Sequence, residues 1–163
     1  MLDTLLQTLK TSQDHVALTG HPVSALHRFA GKLIEQLEHE RSLHVENYVP
    51  GDTEALLARF NQLIAGLSAD QAFSRQHAVG PTSLVFVVHI EAATQAESVF
   101  TLARLCNALP GARARMLLIV DDAACLADLA AALGPRLVSV EIDPAMAARA
   151  SAVPVAPVSR VLP

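Results

Sequence analysis

Apolar and polar positions follow two rhythms along this chain, and the rhythms take turns. Leu2, Leu5, Leu6 and Leu9 recur at helical spacing, so residues 1–12 predict an amphipathic helix. His15–Gly20 reads as a first strand. Ser24–Glu40 returns to helical period, with Leu26, Phe29, Ala30, Leu33, Ile34 and Leu37 on one stripe. Leu43–Val49 alternates at period two, and Pro50-Gly51-Asp52 then supplies a stop and an N-cap for a helix over Asp52–Leu67. Thr82–Ile90 is a nearly unbroken apolar run, the pattern of a central strand covered on both faces. Thr94, with Glu97 three residues on, predicts the capped start of a helix that runs to about Leu109 and stops at Pro110-Gly111. Arg115–Asp121 reads as another buried strand, Asp122–Leu133 as a short alanine-rich helix ended by Gly134-Pro135, and Leu137–Ile142 as a fifth strand.

Short β-type runs alternating with long helical segments predict an α/β fold in three layers, a parallel five-stranded sheet with helices on both faces. From Asp143 the pattern fades. Met146–Ala152 offers one or two helical turns, and the proline-spaced run Val153–Pro163 reads as an extended tether. The organisation expected is therefore one domain over residues 1–144 and a Pro/Ala/Val-rich linker over 145–163.

Composition narrows the reading. Apolar residues make up 52% of the 163, yet the longest apolar runs, such as Leu84–Val88 and Met116–Val120, have five residues each, against about 20 for a membrane span. The expectation is a buried core and no direct membrane insertion. Twelve basic against sixteen acidic side chains leave a net charge of −4, which argues against a nucleic-acid partner, since that would need a basic face. The N-terminus lacks a basic start and a continuous apolar block, so it reads as a helix rather than a signal peptide, and the location expected is cytoplasmic. Cys106 and Cys125 lie outside any C-x-x-C pattern and read as reduced core thiols.

In an open α/β sheet ligands bind beyond the carboxyl ends of the strands, which directs attention to the first strand-to-helix turn. Here it runs Thr19-Gly20-His21-Pro22-Val23-Ser24-Ala25-Leu26-His27. The frame is that of the phosphate-cradling loop G-x-x-x-x-G-K-[ST], with Gly20 first, but Ala25 stands for the second glycine, Leu26 for the lysine and His27 for the metal-binding hydroxyl. An alanine β-carbon hinders the close approach of a phosphate, and leucine cannot neutralise its charge.

The Leu-Thr-Gly-His-Pro loop, the Leu84–Ala92 strand ending in Glu91-Ala92, and the segment Cys106-Asn-Ala-Leu-Pro110 with Arg115-Met-Leu-Leu-Ile-Val120 together resemble the P-loop core of AAA+ ATPases, of the ExeA or general-secretion type. The similarity spans roughly Asp14 to Pro144. It implies strand order 5-1-4-3-2, whereas a receiver-like flavodoxin fold, the weaker alternative, has order 2-1-3-4-5 and needs an acidic pair after its first strand. In the family the third strand ends in Asp-Glu. Here Ile90 and Glu91 take those places, with His89 one residue earlier, and Asp121-Asp122 stand where a neutral polar sensor is favoured. The helical lid that follows the family core, with its arginine, is not expected in residues 145–163. Positions Gly20, His21, Pro22, Ser24, Ala25, Leu26 and His27 are thus read as a vestigial phosphate loop, and Ile90 and Glu91 as vestiges of the metal-and-water strand, with no catalytic residue.

The resemblance and its departures imply a non-catalytic pseudo-ATPase that docks a protein partner or a second copy of itself, in a bacterial envelope or secretion-type assembly. No cofactor is expected. The alternative is a divergent ATP- or GTP-binding ATPase that completes its site with a partner. Leu2, Leu5, Leu6 and Leu9 are the candidate interface, covering an apolar face in cis or pairing in trans. No metal site is expected either: His39-Glu40-Arg-Ser-Leu-His44 has its second histidine one residue late for H-E-x-x-H, and His15, His21, His27, His77 and His89 are scattered through loops and strand ends. No G-x-S-x-G occurs, Glu35, Glu38 and Glu40 read as a solvated face, and Arg104, Arg113 and Arg115 read as snorkelling surface cations or as a contact for an acidic partner.

Overall fold

A computed structural model describes residues 1–73, 83–92 and 95–152. Five strands, β1 (His15–Gly20), β2 (Leu43–Tyr48), β3 (Ser83–Ile90), β4 (Ala114–Val120) and β5 (Leu137–Ile142), form one parallel sheet in the order β2-β3-β4-β1-β5. Read from the other edge this is 5-1-4-3-2, the expected order. β1 and β3 are separated by β4, so the receiver-like alternative falls. The helices are α1 (Leu2–Thr11), α2 (Val23–His39), α3 (Thr53–Ile64), α4 (Ala69–Phe73), α5 (Ala96–Ala108), α6 (Leu126–Leu133) and α7 (Pro144–Ala152).

Strand alternation sorts the core into two halves. Val16, Leu18, Val85, Val87, Leu117 and Ile119 point to the layer of α1, α2 and α7. Ala17, Leu84, Phe86, Val88, Met116, Leu118 and Val120 point to the layer of α3, α5 and α6. Since β3 and β4 have neighbours on both edges and helices on both faces, they are mostly apolar and buried, Arg115 in β4 included, and within β3 His89 alone is exposed.

The helical stripes account for the outer layers. Leu26, Phe29, Leu33 and Leu37 of α2 are fully buried, each burial contributing about 2 kcal/mol before its entropic cost. Leu2, Leu5 and Leu9 of α1 join the same cluster, with Leu6 packed partly against it. The candidate interface therefore covers the core in cis, and the buried leucines are not free to pair in trans. Asp52 caps α3 as expected, its carboxylate accepting the Ala55 N–H at 3.1 Å. That helix ends at Ile64, three residues short of Leu67, and the short α4 follows. The start of α4 is a reciprocal cap that the hydrophobic pattern hides: Ser68 Oγ accepts from Gln71 N–H, and Gln71 Oε1 accepts from Ser68 N–H.

Two further differences bear on boundaries. Residues 145–152, expected as the start of a linker, are instead helical: α7 lays Ala147 and Ala150 against α2 and is a packed part of the domain. Alanine and methionine supply enough apolar contact there without a conspicuous stripe. Thr94 and the segment 153–163 lie outside the described residues; α5 begins after Gln95, whose side-chain oxygen accepts from the Glu91 and Ala92 amides.

Candidate functional site

The presumed phosphate loop takes a different form from its frame. β1 ends at Gly20 and α2 begins at Val23, leaving only His21 and Pro22 between them. Ala25, Leu26 and His27 are already helical, so the backbone amides that a phosphate cradle needs are engaged in a helix instead. Ala25 and Leu26 are buried in the core, Leu26 completely, and Ser24 lies exposed on the first turn. Gly20 has its own structural reason: a β-carbon there would stand 2.3 Å from the carbonyl oxygen of Ile142, so the close approach of β5 demands glycine. Gly20 is therefore fixed by the packing of β5, and the lysine position, Leu26, is part of the core.

At the carboxyl ends of β3 and β4 the outcome is mixed. Ile90 is fully buried and its carbonyl accepts the Asp121 N–H at 3.0 Å, extending the ladder between the two strands. Glu91 is exposed. The adjacent aspartates divide their work: Asp122 caps the short turn Ala123–Cys125 by accepting the Ala124 N–H at 2.9 Å, while Asp121 reaches across to α2. There His27 Nε2 donates to Asp121 Oδ1 at 2.7 Å, and the His89 ring stands edge-on to that of His27 with centroids 5.8 Å apart. His27 and His89, which look scattered in the sequence, thus meet at the carboxyl end of the sheet beside Asp121; the His27 side chain is 45% exposed and that of Asp121 24%. Of the residues in the original frame, His27 alone contributes a side chain to this cluster.

The remaining histidines serve elsewhere. His39 Nδ1 donates to the Glu35 carbonyl within its own helix, and His44 pairs with Glu46, so the near-zincin motif is not assembled. His15 is wholly buried at the amino end of β1, where Nδ1 accepts the Met116 N–H at 3.2 Å. Burial, aided by the positive charge of Arg136, lowers its pKa to about 4. His77 lies outside the described residues. Among the described residues no three metal-type donors already converge on one point.

Arg115 corrects the surface reading of the arginine cluster. It is 2% exposed, and its guanidinium donates to the carbonyls of Leu9 and Ser12, which close α1 and start the connection to β1. Burial, then the charges of Arg113 and Arg136, lowers its pKa to about 10, so it stays cationic near neutral pH. Arg136 does similar work, donating to Asn107 Oδ1 and to the Gln13 carbonyl. A guanidinium two residues into a buried strand carries no pattern that separates it from a surface cation. Cys106 and Cys125 are free and buried, and burial pushes the Cys106 thiol up to about 12, far from reactivity.

No protein-family model matches the chain. No curated protein matches it. Among solved structures it is similar to Saccharomyces cerevisiae RIF2, at 12% identity and TM-score 0.49, over 87% of this chain and 54% of that one. It is also similar to a chain in the structure of Drosophila ORC bound to poly(dA/dT) DNA and Cdc6, at 16% identity and TM-score 0.49, over 91% of this chain and 30% of that one. The chain spans about half of the first and under a third of the second, and nothing about activity follows from likeness at this level.

Proposed function

We propose that this chain is a non-catalytic interaction module, a pseudo-ATPase built on a P-loop-like α/β scaffold, that docks a protein partner or a second copy of itself. The observation that carries this reading is the start of α2: only two residues separate Gly20 from the helix, and the lysine position, Leu26, is fully buried. A nucleoside triphosphate would find neither a ring of free amides nor a cation there. An α/β core kept intact while its phosphate chemistry is lost is more useful for its surfaces than for turnover. With Leu2, Leu5 and Leu9 buried in cis, the apolar surface available for docking includes Val49, Leu57 and Phe73, which are 70%, 46% and 66% exposed.

The resemblance to general-secretion ATPases supports a bacterial envelope or secretion-type assembly as the setting, with the domain in the cytoplasm and reaching the membrane through its partner. No helix among the described residues is long and apolar enough to cross a membrane. The net charge of −4 supports a protein rather than a nucleic-acid partner. Calorimetric titration with Mg·ATP and Mg·GTP tests the reading: no binding tighter than about 1 mM is expected, roughly 4 kcal/mol on the affinity scale. A micromolar isotherm would overturn it in favour of a divergent ATPase that completes its site with a partner.

A further inference from the structure

We propose that the free edge of β5, with the polar trough that α1 forms beside it, is a docking strip for an extended segment of a partner protein that carries lysine or arginine at alternate positions and joins the sheet as a sixth strand. This deepens the docking function and rests on it, by naming a surface and the chemistry of what it binds.

The sheet has two edges, and they are built differently. β2 pairs with β3 alone and β5 with β1 alone, so each strand has a side on which its alternate N–H and C=O groups meet no neighbour in the sheet. On β2 a charge stands in mid-strand: Glu46 pairs with His44 two residues back and with Arg59 of α3, which ties that strand to its helix. Charge placed so guards an edge against pairing. β5 has no such guard. Its sequence, Leu137-Val-Ser-Val-Glu-Ile142, holds no proline and stays in register with β1 over its whole length, from Leu137 opposite His15 to Ile142 opposite Gly20. Among the described residues no loop or cap bonds to its backbone. Ser139 and Glu141 are exposed and Val138 and Val140 half-buried, so a partner can reach the strand.

The trough selects the occupant. Between β5 and the polar side of α1 lies an open depression of about 690 Å3, lined among others by Asp3, Gln7, Thr8, Thr11, Asp14 and Val138. Its lining holds two carboxylates and no cation, and neither Asp3 nor Asp14 forms an ion pair among the described residues. Arg115, whose charge Asp14 feels, is enclosed in the core and bonded to carbonyls. Every second side chain of an added strand would point to the α1 side of the sheet, among hydroxyls, an amide and carboxylates. Lysine or arginine there gains charge pairing and hydrogen bonds, whereas a large apolar side chain would cover polar groups without bonding them. A second copy fits less well. Pairing β5 with its own image about a two-fold axis brings one acidic trough beside the other, between chains that each carry a net charge of −4.

The test is calorimetric titration of the full chain with a blocked peptide of alternating lysine and valine, acetyl-Lys-Val-Lys-Val-Lys-Val-amide, at low salt. Binding tighter than about 1 mM is expected, with amide hydrogen exchange slowed at Val138–Glu141 and unchanged at His44–Asn47. Two altered peptides separate charge from strand pairing. The form with glutamate for lysine, and the lysine form N-methylated at every residue, which keeps its charges and loses its N–H donors, should each bind at least about tenfold more weakly. Thr8→Lys sets a cation in the trough and should weaken binding at least about fivefold, while Ala58→Lys, the same change of charge on exposed α3, should leave it unaltered. Circular dichroism checks that both variants are folded. No binding of the lysine peptide, equal binding of either altered peptide, undiminished binding by Thr8→Lys, loss in Ala58→Lys, or protection at His44–Asn47 instead would each overturn the proposal. Slow exchange at Val138–Glu141 in the free chain would overturn it as well, since the edge would then be filled in cis or by a second copy. Micromolar binding of Mg·ATP would instead overturn the docking function on which the proposal rests.

Discussion

At the amino-terminal end of the sheet, His15 and Arg115 are enclosed and Arg136 is half-buried, and the three bond to a backbone amide, backbone carbonyls and an amide side chain. At the carboxyl-terminal end, His27 bonds to Asp121 and packs edge-on against His89 in reach of solvent. Both ends hold histidine beside charged groups, so residue type does not separate them; burial does. Groups bonded to the backbone in a dry setting hold elements together. Groups that satisfy each other in reach of water can exchange that contact for another.

Substitutions at the closed end should therefore be far more damaging. Replacing Arg115 with Met leaves the Leu9 and Ser12 carbonyls unpaired at the junction of α1 and β1. A loss of about 4 kcal/mol is expected, two charge-assisted bonds at about 2 kcal/mol each. Urea unfolding measures it, and a loss below about 1 kcal/mol would remove the distinction between the two ends.

Acid provides a second probe of the same contrast. With the His15 pKa lowered from 6.5 to about 4, the unfolded chain binds a proton that the folded chain refuses between those values. Stability from this group is complete above about pH 6.5 and is lost as pH falls toward 4, by about 3 kcal/mol in all. Denaturant midpoints measured across that window should follow the slope. The variant His15→Asn, which keeps an acceptor for Met116 N–H, should flatten it.

Glycines sharpen the comparison further. A β-carbon on Gly20 would lie 2.3 Å from Ile142 O, and one on Gly111 would lie 1.8 Å from Gln71 O. Gly20→Ala and Gly111→Ala should each destabilise by about 2 kcal/mol through forced backbone movement. Thermal melts that show no change in Gly20→Ala would return that residue to the role of an open loop. The smallest effect belongs to the open end: His27→Gln should alter stability by less than about 1 kcal/mol, because a half-exposed pair is weakly stabilising. A larger change in chemical denaturation would mean that the His27–Asp121 pair is structural after all.

Much of the fold was legible from local pattern. The runs in β3 and β4, the Asp52 cap and the stop at Pro110-Gly111 each arise from interactions within a few residues, and the strand order followed from the resemblance. The helix α4 carried a readable Ser68–Gln71 signal that hydrophobic periodicity alone passes over. The site was legible only in outline. The eight-residue frame Gly20–His27 pointed to a loop, but helix begins after only two intervening residues.

The chain by itself determined which segments become strands and helices, and that the sheet's middle is buried on both faces, because period and run length are properties of neighbouring residues. Tertiary structure decided the rest. It brought His27 to Asp121 across 94 positions, turned Arg115 inward to the carbonyls of α1, required glycine at position 20 through the backbone of β5, and drew α7 into the core. Each of these depends on a partner distant in sequence, whose position is set only when the parallel crossovers have stacked the layers, so no window along the chain contains it.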